Sequence, residues 1–93
     1  GKFQIQLTSS ATDDLDCIPE ISKKKIIASI QKLSTDPFSR GPNIKKLKGF
    51  TPPIYRIRSG DFRVIYRVHD RTIIILRVID RKDLERIIKR LNL

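Results

Sequence analysis

The chain opens on a two-residue period. Phe3-Gln4-Ile5-Gln6-Leu7 alternates apolar and polar side chains, which predicts a short, half-buried strand. The period then lengthens. Ala11, Leu15 and Ile18 recur at i, i+4 and i+7 and predict a short helix to about Ile18. Thr8-Ser9-Ser10 offers N-cap oxygens for it, and Asp13 and Asp14 suit its first turn. Pro19 ends that helix and fits the first position of the next. Ile26, Ile27, Ile30 and Leu33 line one face of a second helix, with Lys23, Lys24, Lys25 and Lys32 on the rest, until Ser34-Thr35-Asp36-Pro37 stops it. The pair reads as a helical hairpin packed on another layer.

Residues 36–53 read as irregular, punctuated by Pro37, Gly41, Pro42, Gly49, Pro52 and Pro53. Beyond them β-branched and aromatic residues dominate three segments, 54–58, 61–68 and 72–79, separated by turns at Ser59-Gly60 and His69-Asp70-Arg71. The segment 72–79 is almost continuously apolar and is expected at the sheet centre, covered on both faces. Leu84, Ile87, Ile88 and Leu91 predict a last helix within 80–91. The order is β-α-α-β-β-β-α. This is an α+β fold: an antiparallel sheet with the helical hairpin packed on one face and a C-terminal helix.

Length and charge sharpen this picture. At 93 residues the chain makes one domain, 1–93, and its 39% apolar content supports a folded core. Cys17 has no partner for a disulfide, and a single His with a single Cys excludes a zinc site, so neither metal nor cofactor is expected. No apolar run approaches the roughly 20 residues of a membrane span, and the first residues show no secretory h-region, so a cytoplasmic protein without a membrane partner is expected. The net charge is +10. It is uneven: residues 1–22 carry one basic and four acidic side chains, residues 23–93 nineteen and six. Such a surplus points to a polyanionic partner bound through the second half of the chain.

Period-two geometry puts Arg56 and Arg58 on one face of their strand. With Ser59-Gly60 as the hairpin loop, Arg56 falls opposite Arg63 and Arg58 opposite Asp61, with Arg67 further along the same face. Like charges opposed across a sheet are destabilising, and an anion between them removes the conflict. Arg81, just past the last strand, can close the cluster. Guanidinium forks match phosphate oxygens, which favours a nucleic-acid backbone as ligand. Lys45, Lys46 and Lys48, on the loop leading into the arginine strand, are candidate phosphate anchors. Tyr55, Phe62 and Tyr66 alternate with the arginines and are expected to face the helices as core. Asp61 is expected to neutralise Arg58 locally.

The run Ile-Tyr-Arg-Ile-Arg-Ser-Gly-Asp-Phe-Arg-Val-Ile-Tyr-Arg-Val (54–68), followed by Ile-Ile-Ile-Leu-Arg-Val-Ile-Asp-Arg-Lys-Asp-Leu (73–84), resembles the RelE/ParE toxin superfamily. Lys46-Leu47-Lys48-Gly49 resembles the family's stretch before the arginine strand. The resemblance implies a toxin of a toxin–antitoxin pair, held by a cognate acidic antitoxin. In the RelE branch it implies a metal-independent endoribonuclease that cleaves translated mRNA in the ribosome. Its implied phosphate-binding residues are Arg56, Arg58, Arg63 and Arg81; Lys45, Lys46, Lys48 and Arg67, by their charge and position, are the candidates for the RNA backbone. In the ParE branch it implies an inhibitor of DNA gyrase without nuclease activity. A third possibility is a basic nucleic-acid-binding protein with no activity of its own. Two departures stand out: Arg56 and Arg58 replace lysines found in some RelE members, and Glu85 occupies the place of a Tyr. An Arg stays protonated and is a poor general base, which leaves Glu85 as the carboxylate candidate for that role.

Overall fold

The two helices form where the 3.6-residue period places them. In a computed structural model, which describes residues 2–38 and 43–91, α1 spans Ser9–Asp16 and α2 spans Glu20–Leu33. Gly41 and Pro42, two of the expected breakers, lie outside the described residues. Ala11 and Leu15 of α1 and Ile26, Ile30 and Leu33 of α2 are buried, whereas Ile27 remains 39% exposed. The Thr8 hydroxyl caps α1 by accepting the Ala11 N–H at 3.1 Å. Pro19 is the N-cap of α2 rather than its first helical residue. Asp13 and Asp14 do not sit in the first turn of α1. The helix is only eight residues long, so both fall in its C-terminal half, where the macrodipole disfavours them.

Five strands form one sheet in the order β1-β5-β4-β3-β2, with β1 at Gln4–Leu7, β2 at Ile44–Leu47, β3 at Ile54–Ser59, β4 at Phe62–His69 and β5 at Thr72–Asp80. The α+β class holds, with three differences from expectation. The stretch 36–53 contains β2, which pairs antiparallel with β3. It escapes a period-two search because Ile44 and Leu47 face opposite sides of the sheet and join different cores, leaving Ile-Lys-Lys-Leu without alternation. β1 pairs with β5 in parallel, not antiparallel, and no local signal encodes that direction. The middle strand is β4, with β5 between it and β1.

The sheet is covered on both sides. Tyr55, Ile57, Val64, Tyr66, Ile73, Ile75 and Val78 pack with α1 and α2. Tyr66 is fully buried, stacks on Tyr55 at 5.6 Å and donates its hydroxyl to the Pro37 carbonyl at 2.8 Å. On the other side Ile54, Ile65 and Ile79 pack with Ile87 of α3, which spans Leu84–Leu91 after a 3-10 turn at Arg81–Asp83. The C-terminal helix therefore lies on the face opposite the hairpin.

One edge needed a special solution. β1 covers β5 only along Thr72–Ile75, which leaves the rest of β5 without a neighbouring strand on that side. Helix α1 fills the gap. The Thr8 N–H donates to the Ile75 carbonyl, and its hydroxyl lies 3.1 and 3.0 Å from the Ile75 and Leu76 carbonyls. Asp14 accepts the Val78 N–H at 2.9 Å and takes both Nε and Nη2 of Arg77 at 2.8 and 2.9 Å. The hydrogen bond to Asp14 is the main reason the Arg77 pKa is raised, outweighing its partial burial.

Two stability predictions follow from these buried polar contacts. Asp14→Ala strands the Arg77 guanidinium and the Val78 N–H together, and is expected to cost about 2–4 kcal/mol. The measurement is a lower urea midpoint at unchanged m-value. For Tyr66, burial raises the phenol's pKa, with Tyr55 and Asp36 adding to the effect. Its contribution is complete below the ordinary tyrosine pKa of about 10 and is lost as pH rises from there through the higher folded value. Tyr66→Phe is expected to cost about 1 kcal/mol at neutral pH and to flatten the alkaline fall in melting temperature.

Candidate nucleic-acid interface

The β3–β4 hairpin sets the site. Ser59 pairs with Phe62, so the loop is Gly60-Asp61 rather than Ser59-Gly60. Gly60, at φ +58°, supplies the left-handed conformation that the first loop position requires. The change moves the register by two residues of the partner strand and so keeps every side chain on its expected face. Arg58 now lies opposite Arg63, and Arg56 opposite Ile65. The like-charged cross-strand pair therefore exists, with Arg58 in place of Arg56.

Four arginines gather at this end of the sheet. Arg63 donates Nη1 to the carbonyls of Gly60 and Phe62, both at 3.0 Å, which pins its guanidinium to the hairpin. Arg56 donates Nη1 to the Asn43 carbonyl at 3.2 Å. The Arg58 side chain is exposed and makes no ion pair among the described residues. Arg81 follows the last residue of β5, and its N–H donates to the Asp61 carbonyl at 2.8 Å, tying the end of β5 to the hairpin. Burial lowers the Arg63 pKa, and Arg56, Arg58 and Arg81 lower it further while Asp61 opposes them. Those four side chains therefore share one electrostatic neighbourhood. Ile54, Ile65 and Ile79 form an apolar floor on the same face. Charges beside such a floor interact more strongly than charges surrounded by water.

The other candidates separate. Lys45 pairs with Arg56 across β2 and β3 and extends the cationic face, but Lys46 pairs with Tyr55 and faces the other side of the sheet. Lys48 is exposed in the turn after β2. Arg67 shares the arginine face but stands about 13 Å along β4 from Arg63, beyond the buried Ile65, and is not among the charges acting on Arg63. Glu85 is exposed in the first turn of α3 and makes no hydrogen bond or ion pair to the cluster among the described residues. Tyr55, Phe62 and Tyr66 face the hairpin core as expected. Asp61 does not oppose Arg58; its carboxylate lies 3.9 Å from Arg81 Nε. The glycine's backbone requirement was the sequence signal that would have fixed this register. Nothing in the sequence pattern placed Lys45 on a strand.

Chemically, the arrangement has the groups that a phosphate clamp needs. It offers several guanidinium forks, a fixed hairpin backbone and an apolar floor, and the one carboxylate acting on Arg63 is that of Asp61.

Comparison with known proteins yields matches along most of the chain. The family model described as the ParE toxin of the type II toxin–antitoxin system, parDE, matches residues 5–85. A Methanocaldococcus jannaschii chain that carries the name toxin RelE1 is 38% identical over 84 residues, covering 88% of this chain and 92% of that one. The archaeal RelE–RelB complex from Pyrococcus horikoshii OT3 aligns with a TM-score of 0.74 at 28% identity, covering 85% of this chain and 94% of that one. The RelB–RelE antitoxin–toxin complex from Methanococcus jannaschii aligns with a TM-score of 0.70 at 29% identity, covering 87% and 95%.

Arg58 and Arg63 are directly opposed across the β3–β4 pair, an arrangement that is destabilising for like charges. Arg58→Thr removes one of them and is expected to raise stability by about 0.5 kcal/mol at low ionic strength. Thermal melts in added salt test the cause, since the gain should shrink as screening increases.

Proposed function

The chain belongs to the RelE/ParE family of type II toxins as a RelE-like member, and from that premise we propose that it is a ribosome-dependent endoribonuclease acting on translated mRNA. The observation that carries this reading is the cross-strand pair Arg58–Arg63 with Arg56 on the same face and Arg81 tied by its backbone to the same hairpin loop, Asp61 being the single carboxylate acting on Arg63. Arg56, Arg58 and Arg63 bind and orient the scissile phosphate. Attack by the neighbouring 2′-hydroxyl forms the 2′-O–P bond as the P–O5′ bond breaks; the hydroxyl gives up its proton and the departing oxygen gains one. Arg81 stabilises charge on that departing oxygen. Guanidinium groups remain protonated, so the chain's contribution is orientation and charge stabilisation rather than proton abstraction. No metal or cofactor enters this scheme.

Lys45, continuous with Arg56, and Lys46, Lys48 and Arg67 on other parts of the surface hold mRNA or ribosomal RNA backbone. The ribosome supplies the bent mRNA, and the site of action is the cytoplasm. Two of the aligned structures are complexes of a RelE with a RelB, which supports a cognate antitoxin here as well. An acidic antitoxin matches the basic surface.

A gyrase inhibitor of the ParE type is the second reading, favoured by the family model that matches and by Glu85 at the position where many RelE members carry Tyr. The deciding experiment is translation-coupled mRNA cleavage beside a DNA supercoiling assay. Arg81→Ala is expected to lower cleavage by about 10²–10³-fold, the scale for losing one transition-state donor. Glu85→Gln is expected to leave it little changed, because the exposed Glu85 makes no hydrogen bond or ion pair to the arginines among the described residues. Gyrase inhibition with intact mRNA would overturn the nuclease reading.

A further inference from the structure

We infer that Asp61 is a displaceable counter-ion of the arginine pocket: it partly neutralises Arg81 in the free protein and yields it to a phosphodiester of single-stranded RNA. The inference rests on the proposed RNA-binding role of the cluster and deepens it.

The backbone and side chain of Asp61 are held very differently. Its carbonyl accepts the Arg81 N–H at 2.8 Å, which keeps the two residues adjacent. Its carboxylate lies 3.9 Å from Arg81 Nε, too far for a hydrogen bond, and both side chains are mostly exposed. The same carboxylate–guanidinium chemistry elsewhere in the chain is a tight fork: Asp14 meets Arg77 at 2.8 and 2.9 Å in a partly buried setting. Asp14 binds like a structural part, whereas Asp61 is only near its partner.

A turn role does not account for the carboxylate. Gly60 supplies the unusual backbone conformation, and among the described residues the Asp61 side chain makes no hydrogen bond to its own loop. It is, however, the one acidic group among the charges acting on Arg63, set against three arginines. A phosphate oxygen seated directly on a guanidinium makes a shorter, charge-assisted contact than the one Asp61 makes. RNA would therefore take Arg81 without having to unfold anything. Until it does, the nearby carboxylate weakens the pocket for stray polyanions.

The test is binding of a 2′-O-methyl hexaribonucleotide, which lacks the attacking hydroxyl, followed by fluorescence anisotropy at low salt. Asp61→Asn is expected to tighten binding about three-fold, the scale for an exposed ion pair, and Asp61→Glu to restore wild-type affinity. Arg81→Ala should weaken binding. In that background Asp61→Asn should give no further gain, because the two residues act on one another. Unchanged or weaker binding by a folded Asp61→Asn variant would overturn the inference. So would the same gain in the Arg81→Ala background, which would reduce Asp61 to general surface charge. If Arg81→Ala leaves affinity unchanged, the RNA-binding role of the cluster fails and the counter-ion inference falls with it.

Discussion

The fork between Asp14 and Arg77 holds the rest of the structure in place. β5 runs past the end of β1, and its exposed edge leaves the Val78 N–H without a strand partner. Asp14 accepts that N–H and the Nε and Nη2 donors of Arg77, so one carboxylate closes the edge and docks α1. The position is a poor one for helix stability, since an acidic side chain near a helix C-terminus opposes the macrodipole. Arg77 and the Val78 N–H more than offset that penalty with three short contacts. The unfavourable local placement thus has a tertiary purpose.

From that clamp the geometry reaches the arginines in a few steps. A firmly held β5 presents Ile79 opposite Arg63 and Asp80 opposite Phe62. The next residue, Arg81, is tied by its backbone to the hairpin loop. Arg63 is fixed to the same loop through two carbonyls. Arg77 and Arg81 lie four residues apart and face opposite electrostatic fates. Arg77 is satisfied by a carboxylate and serves architecture. Arg81 has only a loose partner and remains available to a ligand.

Much of this was legible in the chain. The helix faces, the β3–β4–β5 meander, the inward set of Tyr55, Phe62 and Tyr66 and the shared face of Arg56, Arg58 and Arg63 all follow from periodicity, which records which side of an element meets the core. Four features differ from what the pattern predicts, each for a physical reason. β2 hides because Ile44 and Leu47 serve opposite cores, so its pattern has no period. The parallel course of β1 depends on how distant segments meet. The register of the hairpin turned on which residue takes positive φ, and Gly60 rather than Ser59 bears that requirement. Asp14 lies near the end of α1 rather than its start because a helix of eight residues has almost no middle.

The proposed chemistry follows from what arginine can and cannot do. Lysine in a crowded cationic site can shed its proton, but a guanidinium in the same site stays charged. An all-arginine clamp therefore gives up proton abstraction and gains planar, bidentate contact with phosphate oxygens. Burial and three cationic neighbours oppose the charge on Arg63, and an anion relieves that opposition most where the charge is most crowded. The repulsion between Arg58 and Arg63 and the proposed affinity of the pocket for phosphate are thus two aspects of one arrangement. Such a site does best with RNA whose reacting hydroxyl and phosphate are already aligned, because the remaining work is to hold charge in place. A substrate bent by the ribosome meets that need, which is why the proposed activity is tied to translation rather than to free RNA.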